Sequence, residues 1–294
     1  MEFACILPVK NEEGTIENVI NDLSSKFSSN DNVNFIIVSD STDKTDEIIK
    51  SLNKPNIHLL NGDNFGLGYS VLKGAKYALK FAPEYLFTID TDGQVDLNEI
   101  NLFMDEAKKD KSIDIFLSSR FLKKDLIDYN YPLINKFGTI ILRNIINFFT
   151  NFKVTDSHGG IRFFKNKVAE KLILLGDYTY VQEFLIDASY NGFTVKEIPS
   201  KWLKRQHGKS KVVGSIIRYI FNVSPILFVR LNLHKKIFYS LGIVFFFTFL
   251  FKIQEDLSIV YFLTSIILFI SGFILEAFKN IIIHSKINQF KNKS

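Results

Sequence analysis

The sequence predicts an α/β protein with a mainly parallel sheet, followed by apolar helices, and three observations lead there. Short apolar runs alternate with amphipathic ones over the first 200 residues, polar residues gather just after the apolar runs, and two long apolar stretches lie near the end. Residues 3–8 read as a buried strand, residues 35–39, 57–61 and 85–89 as further strands, and residues 15–26, 44–52 and 69–81 as the helices between them. That rhythm implies right-handed βαβ units and parallel strands. Open sheets of this kind bind ligands beyond the carboxyl ends of their strands. The polar segments 8–12, 40–43, 61–68 and 90–94 stand there.

Residues 85–96 run from an apolar strand directly into Asp90-Thr91-Asp92-Gly93-Gln94. Alternation along a strand puts Asp90 and Asp92 on one side. Two hard oxygen ligands, with the Gln94 amide oxygen nearby, suit Mg2+ or Mn2+, whose remaining positions go to water and phosphate oxygens. A surface turn at Asp92-Gly93 is the plainer alternative, but it leaves the strand feeding it unexplained. Asp40 can hydrogen-bond a nucleobase edge or a ribose hydroxyl, and Glu12 can reach a ribose. Isolated acids in such loops also cap helices, the role expected of Asp43 and, through its hydroxyl, of Thr15. Asn64-Phe65-Gly66-Leu67-Gly68 precedes a helix and can bring backbone near a nucleotide, although it has neither a dinucleotide fingerprint nor P-loop spacing.

The charge of +5 is unevenly spread. Residues 1–200 hold 22 Lys+Arg against 28 Asp+Glu, whereas residues 201–236 hold nine Lys+Arg and no acid. The basic block precedes the apolar stretches and reads as a surface for anionic lipid or a lipid phosphate. No nucleic-acid module is recognisable, so nucleic acid is not an expected partner. The lone Cys5 leaves no disulfide framework, which fits a reducing compartment. No secretory signal is expected, because the apolar run 3–9 is short and followed at once by Lys10, Glu12 and Glu13.

Residues 237–253 and 257–278 are each long enough to span a bilayer and together suggest a helical hairpin. Gln254, Glu255 and Asp256 lie in its turn, with Lys235, Lys236, Lys279, Lys286, Lys291 and Lys293 at the other end. The positive-inside rule then leaves both termini cytosolic. Residues 212–236 read as one or two amphipathic interfacial helices interrupted at Pro225, and residues 280–294 as a basic cytosolic tail.

Several segments together resemble the family 2 glycosyltransferases of the GT-A fold, and among them the polyprenyl-phosphate sugar synthases typified by dolichol-phosphate mannose synthase. The resemblance covers about residues 3–211, the expected catalytic domain. It rests on Leu7-Pro8-Val9-Lys10-Asn11-Glu12, on residues 38–45 and 64–74, and on Asp90-Thr91-Asp92-Gly93-Gln94, where the Gln marks the lipid-phosphate subgroup. Ser118-Ser119-Arg120 matches a Gly-Ser-Arg segment, residues 156–162 match Asp-x-x-Ser-Gly-Phe-Arg, and residues 205–211 match Arg-x-x-Gly-x-Ser-Lys. Three segments depart from the pattern: Ser39-Asp40-Ser41 replaces an Asp-Asp-Gly-Ser signature, Gly160-Ile161 stands where Ser-Gly-Phe would be expected by register, and Lys136 stands near the place of an acceptor-site Arg.

The resemblance implies a GT-A, Rossmann-like nucleotide-sugar domain and an inverting, metal-dependent transfer of a hexose from a GDP-mannose or UDP-glucose type donor to a polyprenyl phosphate. Pro8, Glu12, Asp40, Asn64, Lys73, Asp90 and Asp92 would contact the donor, and Asp90, Asp92 and Gln94 the metal. Arg120, Lys136, Arg162, Arg205, Ser210 and Lys211 would hold the acceptor phosphate, since guanidinium matches phosphate oxygens bidentately. Asp92, Arg120 and Arg205 carry the chemistry in this reading. Glu183 would orient a sugar hydroxyl or pair with an Arg. Two other readings are a transferase acting on a hydroxyl acceptor, with Asp156 as the available base, and a non-catalytic membrane module that keeps the fold.

Overall fold

The computed structural model describes residues 1–28, 31–91, 93–204 and 216–291. These fall into two compact units, Met1–Ile216 and Ile217–Lys293. The first begins with β1 (Glu2–Val9), α1 (Ile16–Ser24), β2 (Asn32–Ser39), α2 (Thr45–Ser51), β3 (Ile57–Asn61), α3 (Leu67–Ala78), β4 (Tyr85–Ile89) and α4 (Ile100–Lys109). It continues with β5 (Ile115–Ser119), α5 (Leu133–Phe149), β6 (Ile161–Lys165), α6 (Asn166–Lys171), α7 (Val181–Tyr190) and β7 (Val195–Pro199).

The strands form a seven-stranded sheet in the order β3-β2-β1-β4-β6-β5-β7. All neighbours are parallel except β6, which runs antiparallel to β4 and β5. Near-continuous apolar strands such as Phe3-Ala4-Cys5-Ile6-Leu7 are buried on both faces, as covered parallel strands require. One core packs Phe3, Phe87 and Phe163 of the sheet against Ile16, Ile20 and Leu23 of α1 and Phe103 of α4.

This topology sets the site. The carboxyl ends of β1, β2, β3, β4, β5 and β7 share one edge of the sheet. Because β6 is reversed, its entrance, residues 156–160, lies on that same edge. The Asp90 N–H donating to the Gly160 carbonyl at 3.3 Å ties the end of β4 to the start of β6.

The second unit holds α8 (Ile216–Arg230), α9 (Leu233–Phe251) and α10 (Ser258–Lys291). The expected break at Pro225 does not occur, and Pro225 lies inside α8. A helix proline forfeits one backbone hydrogen bond, while Tyr219, Val223 and Leu227, buried at four-residue intervals, hold both halves on one line.

Helices α9 and α10 pack antiparallel. Phe249 meets Phe262 near their turn, the Ser265 hydroxyl donates to the Gly242 carbonyl at 2.9 Å, and His234 meets Glu276 at 2.9 Å near the other end. Small residues at such contacts let apolar helices approach closely, and a Cβ on Gly272 would lie 2.5 Å from the Tyr239 ring. Both helices are long and apolar enough to cross a membrane. The second exceeds the expected residues 257–278: its 34 residues span about 51 Å, well beyond a hydrocarbon core of about 30 Å.

Candidate active site

The loops after β1 and β2 are bound to each other. The Asn11 side-chain oxygen accepts from the Thr42 N–H at 2.8 Å, the Asn11 N–H donates to the Ser41 hydroxyl at 2.9 Å, and the Glu12 N–H donates to the Thr45 hydroxyl at 2.8 Å. Asp43 accepts from the Thr45 N–H at the start of α2. Thr15 does not cap α1 through its side chain: its hydroxyl donates to the Glu12 carboxylate at 3.0 Å, leaving Glu12 half-buried beside Pro8 at the strand end.

Asp40 is buried at the end of β2 and its Oδ1 accepts the Asn64 N–H at 2.7 Å. The chain crosses so near that a Cβ on Gly62 would lie 2.3 Å from the Asp40 carboxylate. Asp63 and Asn64 both adopt positive φ to make this crossing. Lys73 is paired with Asp63 at 2.7 Å and donates to the Asn61 carbonyl. Burial, aided by Asp63, pushes the neighbouring Tyr69 hydroxyl up to about 12.

The glycines after Asn64 lie against another segment of the chain. A Cβ on Gly66 would meet the Asp177 carbonyl at 2.6 Å, and one on Gly68 the Gly176 carbonyl at 2.2 Å. The absence of side chains at Gly66 and Gly68 lets this segment pass close by. Glu183, buried on α7, holds that segment by accepting the Leu175 and Gly176 N–H groups at 2.8 and 2.7 Å.

Asp90 is half-buried at the end of β4, and Gln94 follows, its backbone carbonyl accepting the Leu203 N–H. Asp92 lies outside the described residues, as do Arg205, Ser210 and Lys211. Asp90 and Gln94 supply oxygen donors of the hard kind that Mg2+ and Mn2+ take, while no cluster of three or more acidic, His or Cys side chains able to hold a metal occurs among the described residues.

Arg120, just past β5, is not an open clamp. Its Nε donates to Asp156 Oδ2 at 2.6 Å and NH2 to Asp156 Oδ1 at 2.9 Å, while its backbone N–H also donates to Oδ2. NH1 points to the Tyr131 hydroxyl at 3.5 Å, and the guanidinium lies 4.7 Å from the Trp202 ring centroid. Burial opposes ionisation of Asp156, but the Arg120 charge and hydrogen bonds outweigh it and hold this carboxyl below its usual range. Glu197 of β7 sets Asp156 in place by accepting the Thr155 and Asp156 N–H groups.

Arg162 departs further from the expected phosphate clamp. It is 2% exposed, donating to the Gly159 and Ser157 carbonyls and to the Tyr180 hydroxyl, so it braces the turn entering β6. In that turn burial pushes His158 down to about 4 against the upward pull of Asp156. Gly159 is obligatory, since its Cβ would lie 1.9 Å from the Ser118 carbonyl oxygen. Lys136 is exposed in the first turn of α5.

The sheet edge thus gathers Pro8, Glu12, Asp40, Asn64, Asp90 and Arg120, while Lys73, Arg162 and Glu183 serve the surrounding framework. Glu197, Tyr131 and Trp202 went unrecognised in the sequence. Trp202 alone carried a signal, as the only tryptophan.

The chain is similar to known proteins in sequence and in fold. Residues 4–173, more than half of the chain, match glycosyl transferase family 2. An uncharacterized protein of Methanocaldococcus jannaschii is 31% identical over 218 residues, 71% of this chain and 85% of its own. A UDP-N-acetylglucosamine–dolichyl-phosphate N-acetylglucosaminyltransferase of Methanococcus voltae is 28% identical over 233 residues, 73% of this chain and 90% of its own. Among solved structures, a glucosyl-3-phosphoglycerate synthase from Mycobacterium tuberculosis with Mn2+ and UDP-glucose superimposes with a TM-score of 0.59 over 78% of each chain at 16% identity, a likeness of fold. The chain therefore belongs to glycosyltransferase family 2 and is a sugar-transferring enzyme of the GT-A fold.

Proposed function

We propose that this enzyme is anchored in a membrane and moves a hexose, with inversion, from a nucleotide sugar to a polyprenyl phosphate. The observation that carries this reading is the Arg120–Asp156 pair. A hydroxyl acceptor calls for a carboxylate base, and Asp156 was the candidate for that role; with both oxygens on the guanidinium and its proton affinity lowered, it is a poor one. A phosphate monoester is already an anion and needs no strong base. The Methanococcus voltae relative, which acts on dolichyl phosphate, supports the acceptor class.

Asp40, oriented by the Asn64 N–H, is placed to accept a hydrogen bond from the base or ribose of the donor, with Glu12 and Pro8 beside it. Asp90 and Gln94, with Asp92, would hold Mg2+ or Mn2+. The ion, when bound, neutralises charge on the leaving diphosphate. Arg120, fixed by Asp156, presents positive charge and its NH1 edge to a phosphate. Lys136, Arg205, Ser210 and Lys211 complete the proposed acceptor group, in which a flexible lysine supplies point charge and the arginine a fork. Residues 1–211 form the catalytic domain in this reading, residues 212–236 lie at the interface, and residues 237–279 form a two-span hairpin with both termini cytosolic.

The test offers purified protein in detergent labelled UDP-N-acetylglucosamine, UDP-glucose and GDP-mannose separately, with polyprenyl phosphate and Mn2+, followed by organic extraction. Acid-labile label entering the organic phase only when polyprenyl phosphate is present is the expected result and names the donor. Transfer to a hydroxyl-bearing lipid instead would overturn the acceptor assignment.

A further inference from the structure

Trp202 follows β7 at the carboxyl edge of the sheet and is 8% exposed. Its backbone is tied to the loop after β5: the N–H donates to the Leu126 carbonyl at 2.7 Å, and the carbonyl accepts the Asp128 N–H at 3.2 Å. It also bridges Val95, and the Leu203 N–H beside it donates to the Gln94 carbonyl at 2.9 Å. The indole packs over Gly160, where a Cβ would lie 2.7 Å from Trp202 Cζ3. A buried tryptophan is ordinarily a filler of the core, but the polar features of this one are directed at the site. Its ring centroid lies 4.7 Å from the Arg120 guanidinium, and its N–H and the Gln94 amide share the Tyr129 hydroxyl.

We propose that Trp202 is a positioning residue for the transfer, setting the Arg120 guanidinium and the Gln94 amide against each other across the sheet edge. The bonds from Arg120 to Asp156 lie in the plane of the guanidinium and fix the direction of the fork. They do not restrain tilting of that plane, whereas an aromatic face against the cation does. At the other end, the Leu203 carbonyl, 3.4 Å from Gln94 Nε2, can only accept, so the nitrogen of the amide faces it and the oxygen is turned to the opposite side. Tyr129, held by the indole N–H, secures the same amide. Losing the ring face therefore loosens the group offered to the acceptor phosphate, and losing the N–H loosens the oxygen offered to the ion. The inference rests on the proposed roles of Arg120 and Gln94 and adds the residue that joins them.

Three variants of the full chain in detergent separate the two tasks. Trp202→Phe keeps a ring face and loses the N–H, Tyr129→Phe loses the hydroxyl, and Trp202→Leu loses face and N–H together. Calorimetric titration with UDP and with GDP reads the amide end without turnover. There Trp202→Phe and Tyr129→Phe are expected to cut the strengthening of binding by Mn2+ to the same degree, about tenfold, as removal of an outer partner of a metal ligand does. Initial rates at varied polyprenyl phosphate read the other end, where Trp202→Leu should raise the acceptor KM at least about fivefold and Trp202→Phe less than about twofold. A native Mn2+ response in both phenylalanine variants would overturn the proposal. So would a Trp202→Leu protein that melts lower yet keeps the native acceptor KM, which would make Trp202 a filler of the core. If Trp202→Leu does not fold, the two phenylalanine variants decide. A native protein that transfers nothing to polyprenyl phosphate strikes the acceptor reading instead, and the calorimetric comparison still decides the link from Trp202 to Gln94.

Discussion

Arg120 and Asp156, 36 residues apart, meet as a two-pronged fork with N···O distances of 2.6 and 2.9 Å, the arginine 6% and the aspartate 1% exposed. Removing one partner strands the other's charge in the interior, which costs about 3–5 kcal/mol. Asp156→Asn is accordingly expected to lower the thermal midpoint in detergent by several degrees and to abolish transfer. Arg120→Lys keeps the charge but loses the fork, so it should remain folded with turnover reduced by about tenfold or more. An Asp156→Asn protein with wild-type melting and turnover would remove the pair from the account.

His158 provides the pH test. Its folded value of about 4 lies below an unfolded value of about 6.5, so the native state favours the neutral ring. The stability this gives is fully present above about pH 6.5 and falls away toward pH 4, by roughly 2–3 kcal/mol. The lowered carboxyl of Asp156 acts in a separate window, since its contribution persists until the pH drops below the ordinary carboxylate range. The Gln182 amide nitrogen lies 2.6 Å from His158 Nε2, and melting curves between pH 7 and pH 4.5 should fall more steeply for the native protein than for His158→Gln, which retains a side chain able to bond Gln182. Parallel curves would show that the ring's protonation is not coupled to folding.

Gly159 tests how tightly the entrance to β6 is built. An added methyl would sit 1.9 Å from a backbone oxygen, which no rotamer change relieves. Gly159→Ala is expected to cost about 3 kcal/mol or more and to disturb Arg120 through the adjacent Asp156. Gly93→Ala makes a useful contrast: nothing lies within 4 Å of its Cβ, and only its positive φ opposes the change. Denaturation midpoints should rank Gly159→Ala well below Gly93→Ala.

These residues also show what could be read before the structure. The strands at residues 57–61 and 85–89 coincide with β3 and β4: β4 is buried throughout and leaves an apolar run, while β3, half-buried at the sheet edge, is marked by Ile57, Leu59 and Leu60 between polar loop residues. The loops at the sheet edge follow from the same rhythm. Partnerships across the chain left no local trace. Gly66 and Gly68 have the look of a nucleotide loop yet answer to Asp177 and Gly176, about a hundred residues away in sequence. Arg162 stands in a motif matched to phosphate binding, and charged residues are seldom fully buried, so its inward turn toward Tyr180 could not be inferred from its neighbours in sequence. Pro225 signalled a break that the buried line of α8 overrides.

The proposed metal site can be tested through binding alone. Asp90 directly follows β4 and its backbone N–H donates to the Gly160 carbonyl at 3.3 Å, so its backbone is held at the sheet edge rather than assembled when a ligand arrives. Chelation with EDTA should weaken nucleotide-diphosphate binding by at least about tenfold, with Mn2+ or Mg2+ restoring it, because the diphosphate would otherwise face uncompensated acids. Asp92→Asn and Asp90→Asn should each bind nucleotide in a way that added Mn2+ no longer strengthens. Calorimetric titration with and without metal makes the measurement. Full Mn2+ dependence in Asp92→Asn would move the ion to other ligands and leave the acids of residues 90–94 as a turn at the strand end.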